Sequence, residues 1–74
     1  MNELEVNSKV SVFGKVVDER FLYEETKLLV LDNGIDLICE CFQGFRGKEV
    51  FVEGIVQEYE GEKQVLVLNI YNFS

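Results

Sequence analysis

The sequence predicts an all-β domain, five strands rolled into a small closed or partly open barrel. Three observations predict it. Runs rich in Val, Leu, Ile, Phe and Tyr alternate with polar residues at period two. Six glycines and no proline punctuate these runs. The pattern V-x-V-x-G-x-V occurs twice, at Val10–Val16 and again at Val50–Val56. A glycine inside a strand weakens it, so it needs a use. Relieving crowding where a strand bends in a closing sheet is such a use. Closure also removes the edges through which sheets aggregate. No stretch carries a helical stripe.

The first strand is expected over Val10–Glu19, with Val10, Val12, Gly14 and Val16 on one side and Ser11, Phe13, Lys15 and Val17 on the other. The second is expected over Thr26–Asp32. Asn33-Gly34 then reads as a two-residue type I′ turn, whose central positions both need positive φ. A tight turn there would pair Leu29 with Ile38 and Lys27 with Glu40, and set Leu31 opposite Asp36. One residue of slip would exchange the faces. The third strand is expected over Ile35–Phe42, with Leu37, Cys39 and Cys41 sharing one face and Asp36, Ile38, Glu40 and Phe42 the other. Gln43–Lys48 is a short connection. The fourth strand is expected over Glu49–Tyr59, with Val50, Val52, Gly54 and Val56 facing one way. Glu60-Gly61-Glu62 turns the chain, and Lys63–Tyr71 is the fifth strand.

Composition bounds the function. A chain of 74 residues is one domain, divided here into an N-terminal extension, 1–9, and a barrel, 10–73. With 47% apolar residues it is rich enough for a packed core, and its size excludes a deep cleft between lobes. The absence of His excludes His bases, triads and metal ligands. No nucleophile–base constellation stands out, so no catalysis is expected, and no cofactor or metal. Lys plus Arg is 7 against Asp plus Glu of 14, a net charge of −7. The far field therefore repels nucleic acid and anionic membranes, though a local patch can act against it. No apolar run approaches the ~18–20 residues of a spanning helix. The polar Met1–Lys9 is not a signal peptide, so the cytoplasm is the expected compartment. Cys39 and Cys41, two apart on one strand, are poorly placed to bridge and read as core cysteines.

Several stretches together resemble an OB-fold, a five-stranded Greek-key barrel: Val10–Val17, the L-x-L-D-N-G-I run of Leu29–Ile35, Leu37–Phe42, and GKEVFVEGIV from Gly47 to Val56. The likeness is to nucleic-acid-binding members, the tRNA anticodon-binding domain and the modules of replication protein A-like single-strand binders. The helix that usually joins the third and fourth strands is reduced here to Gln43–Lys48 or absent. The chain is also more acidic than a typical member.

The resemblance implies a ligand lying across the second and third strands, between the first-to-second and fourth-to-fifth loops. It implies a single-stranded nucleic acid held by aromatic stacking and by cations on its backbone. Phe21, Tyr23 and Tyr59 are the expected stacking groups. Phe13, Ile38 and Phe42 offer apolar outer positions, and Lys15, Arg20, Lys27 and Lys63 are expected to take phosphates. Each has a plainer reading. Phe13 and Phe42 can lie under the N-terminal segment, Phe21 and Tyr23 can close one end of the barrel, and Lys27 can simply pair with Glu40. Arg46 and Lys48 beside Phe45 read as a solvated turn, or else as an auxiliary phosphate contact. Glu24, Glu25, Glu58, Glu60 and Glu62 crowd both loops with negative charge. The alternative function is therefore an acidic adaptor subunit that contacts a protein partner or a second copy of the chain. It would use Leu29, Ile38, Phe51 and Ile55 as outer apolar positions.

Overall fold

The computed structural model describes residues 5–73. Residues 1–4 of the expected N-terminal extension lie outside the described residues. Five strands are present: β1 (Lys9–Tyr23), β2 (Thr26–Leu31), β3 (Asp36–Glu40), β4 (Glu49–Tyr59) and β5 (Glu62–Asn72). They close into a barrel in the order β1-β2-β3-β5-β4, with β4 returning to β1. All neighbours are antiparallel except β3 and β5. This is a small five-stranded OB-like barrel. No described residue is helical, and residues 41–48 join β3 to β4 directly. No helix of the described residues is long and apolar enough to cross a membrane.

The fifteen residues of β1 serve two partners. Lys9–Lys15 pair with β4, and Val16–Tyr23 pair with β2. The pairing with β4 runs on past Lys9, since Asn7 N–H donates to the Val56 carbonyl and Val56 N–H to that of Ser8. The barrel thus begins before the expected Val10. Alternation puts Val12, Gly14 and Val16 inward from β1, and Val50, Val52, Gly54 and Val56 inward from β4, as the pattern predicts. The valines among them form the core with Leu29, Leu31, Leu37, Cys39, Phe45 and Val65.

Gly54 marks the tightest point. The ladder between β4 and β5 shifts between Glu53 and Gly54, leaving Leu68 as an extra residue on β5. A Cβ on Gly54 would overlap the Leu66 carbonyl oxygen and stand 2.7 Å from Val65 Cγ1. The coil of the barrel therefore requires glycine at this position. Gly14 is less confined, with Asp32 Oδ1 at 3.1 Å and Leu31 Cβ at 3.3 Å.

Several expectations are corrected. The turn after β2 is not the two-residue form. Gly34 N–H donates to the Leu31 carbonyl and Leu31 N–H to that of Ile35, so Asp32, Asn33 and Gly34 make a three-residue loop with only Gly34 at positive φ (88°). The Asn33 side chain braces it, accepting from Ile35 N–H and donating to the Phe13 carbonyl. The extra loop residue moves the register by one, to Leu29↔Leu37, Lys27↔Cys39 and Val30↔Asp36. Leu29 is consequently in the core at 0% exposure, not outside the barrel. The type I′ geometry occurs instead between β4 and β5, where Glu60 (φ 53°) and Gly61 (φ 83°) separate the paired Tyr59 and Glu62.

The cysteines are also corrected. Cys39 and Cys41 are joined by a disulfide across a Cα separation of 5.5 Å. Both point to the core side, and the strand ends at Glu40. Beyond that point the chain is free to curl, which brings the pair within bridging distance.

Candidate functional site

The outer surface of β2, β3 and β5 holds a groove of about 480 Å³. Its floor is Leu28 of β2, directly opposite Ile38 of β3, together with Gln64 of β5. One wall is Leu22 and Tyr23, at the end of β1. The other is Gln57, Glu58 and Tyr59, at the end of β4. Tyr23 and Tyr59 are largely exposed, as is expected of rings with an apolar face and a wet hydroxyl. The groove thus runs between the β1–β2 and β4–β5 turns.

Of the sequence-predicted residues, the structure brings Tyr23, Ile38 and Tyr59 together here. Leu22, Leu28, Gln57 and Gln64 also line the groove and were not singled out. Leu22 is placed there by a register shift between Phe21 and Tyr23, which alternation alone does not reveal. The other predicted residues lie elsewhere. Phe13 is on the β1–β4 side, opposite Phe51, with its ring 5.3 Å from that of Phe73. Lys15 is on the same side, opposite Glu49. Phe42 follows β3 and is 79% exposed, a surface ring rather than a buried one.

The cations are mostly committed. Lys27 is 3% exposed and is corrected from a phosphate contact to a structural residue. Its Nζ donates to Glu19 Oε2 at 2.8 Å and to the Gln43 carbonyl at 2.9 Å, with the Phe42 carbonyl at 3.4 Å. Its partner is Glu19 rather than the expected Glu40. Phe21 lies over the same ammonium, with its ring centroid 5.2 Å from Nζ. Lys27 holds the Glu19 carboxyl below its ordinary pKa, helped by the backbone N–H groups of Phe45 and Arg46. Arg20 bonds Asp18 at 2.6 Å, which lowers the Asp18 pKa and raises that of the guanidinium. Arg46 bonds the same carboxylate at 3.1 Å, so the expected basic turn is an ion-paired one, and Phe45 beside it is a core residue. Lys63 sits on β5 opposite Glu58.

The groove therefore has a largely apolar floor and a tyrosine in each wall, with one carboxylate, Glu58, among its lining residues and a glutamate, Glu24 or Glu60, in each flanking turn. No group of metal-ligating side chains occurs among the described residues. No protein-family model matches the chain, and no curated protein matches its sequence.

Proposed function

We propose that the barrel is a non-catalytic binding module for single-stranded nucleic acid, an OB-fold in its use as well as its shape. One observation carries this reading: Tyr23 and Tyr59 flank the apolar Leu28–Ile38 pair in a groove across β2 and β3, between the two hairpin turns. Bases stack on such rings for about 1–3 kcal/mol each, and stacking needs no positive charge. With Lys27 buried, Arg20 paired and Lys15 on the β1–β4 side, about one phosphate at most is neutralised. The log–log salt slope is then no steeper than roughly −0.7. Binding is weak and short in footprint.

Fluorescence anisotropy with labelled oligo-dT and oligo-U at low salt tests this. Saturable binding at tens of micromolar protein, lost in Tyr23→Ala and Tyr59→Ala, supports the reading. The absence of saturable binding overturns it.

A second reading has its own observation. Phe73, Phe13, Phe51 and Tyr71 form a row across the outside of β1, β4 and β5, with Phe51 and Tyr71 centroids 6.2 Å apart. Such a row suits an acidic adaptor that meets a protein partner. Light scattering that shows a monomer at high concentration, with nothing recovered in pull-downs, excludes it.

A further inference from the structure

We propose that Cys39 and Cys41 form a reversible redox site, whose bridge fixes the start of the β3–β4 connection. The bridge joins residues two apart in sequence, at the junction where the ladder ends and irregular chain begins. A loop this short removes little entropy from the unfolded chain, so the bridge acts locally rather than on global stability.

The two sulfurs differ in access. Cys39 is buried in the core at 2% exposure, while Cys41 is only partly buried. The residues after Cys41 form the rest of the device. The Phe42 and Gln43 carbonyls accept from Lys27, Lys27 holds Glu19, and Glu19 accepts from Phe45 and Arg46 N–H. The connection is thus tied to the barrel at its start by the disulfide and at its middle by a buried ion pair. Reduction removes the first tie and leaves the second.

The step balances with an external dithiol as reductant. One thiolate of the dithiol attacks Cys41 Sγ, the accessible sulfur. The Cys39 thiolate leaves and takes a proton from solvent. The reagent's second thiolate then attacks its own mixed-disulfide sulfur and releases Cys41 as a thiol. The protein gains two electrons and two protons, and the reagent departs as a cyclic disulfide. Oxidised glutathione drives the reverse change: the Cys41 thiolate attacks it and releases one glutathione, and the Cys39 thiolate then attacks Cys41 Sγ of the glutathione mixed disulfide and releases the second. The site is independent of whatever the groove binds.

The test compares folded protein equilibrated with dithiothreitol and with oxidised glutathione. Intact mass after maleimide trapping reads the redox state, and amide hydrogen exchange reads the connection. The expected result is full interconversion, with no intermolecular dimer. Reduction should speed exchange across residues 41–46 at least threefold and leave the β4–β5 ladder unchanged. In amide exchange, Cys41→Ser should match the reduced protein whichever reagent is present. The proposal is overturned if the folded chain forms no intramolecular bridge under oxidised glutathione. It is equally overturned if residues 41–46 exchange alike in both states, or if the exchange of Cys41→Ser still differs between the reagents.

Discussion

Replacing Glu19 by Gln should destabilise the barrel far more than an ordinary surface change. The Lys27 side chain is 3% exposed and that of Glu19 14%, and Glu19 Oε2 is the only anionic partner Lys27 is bonded to among the described residues. Removing one partner of a buried pair costs about 3–5 kcal/mol, because the remaining charge is left uncompensated. The partial exposure of Glu19 and the two carbonyls on Lys27 point to the lower end, about 3 kcal/mol. A domain of this length has roughly 4–11 kcal/mol in total, so the loss is severe. It should lower the midpoint of thermal unfolding by roughly 12 °C or more, followed by circular dichroism. Changing Lys27 to Met in the same chain should recover most of it, since an apolar isostere leaves no orphan charge. The pH dependence has a fixed sign. The folded-state pKa of Glu19 is depressed, so its contribution is complete above the ordinary carboxylate range and is lost as pH falls through the lower folded value. The difference between Glu19→Gln and the parent should therefore shrink on acidification. A cost below about 1 kcal/mol at neutral pH, the range of exposed pairs, would refute the reasoning.

Gly54→Ala should cost about 1–3 kcal/mol or more in urea unfolding, because its new methyl meets the Leu66 backbone, while Gly14→Ala costs distinctly less. Equal effects would mean that β4 is not bent as described. Glu60→Asn should stabilise by up to about 1 kcal/mol, since Asn tolerates the positive φ of a type I′ turn better than Glu. A drop in thermal midpoint would argue against that turn. Leu29→Ala should cost about 2–5 kcal/mol as a core truncation; a near-neutral result would return Leu29 to the outer surface.

The barrel was legible because its signal is local. The alternation of Val12, Gly14 and Val16, and of Val50, Val52, Gly54 and Val56, is set by the pleat, and each glycine falls where the sheet crowds. Register was not legible, since it turns on whether two residues or three make the loop at Asn33-Gly34, and Gly34 suits both. The pairing of Glu19 with Lys27 was hidden for a related reason. The ladder between β1 and β2 shifts between Val16 and Asp18, leaving Val17 as an extra residue. Past that bulge the alternation inverts, and Glu19 rather than Asp18 meets Lys27. Three of the groove residues followed from the OB resemblance: Tyr23 and Tyr59 because strand ends are easy to place, and Ile38 because it lies on the third strand's outer face. The cations failed as site residues because a sequence does not show which lysine a neighbouring carboxylate has already claimed.

Assigning the amide and side-chain resonances and titrating in a short oligonucleotide tests the central claim most directly. Shifts confined to Leu22, Tyr23, Leu28, Ile38 and Tyr59, nearly unchanged between low and moderate salt, are the predicted result. Shifts along the Phe13–Phe51–Tyr71 row, or none at all, would contradict it.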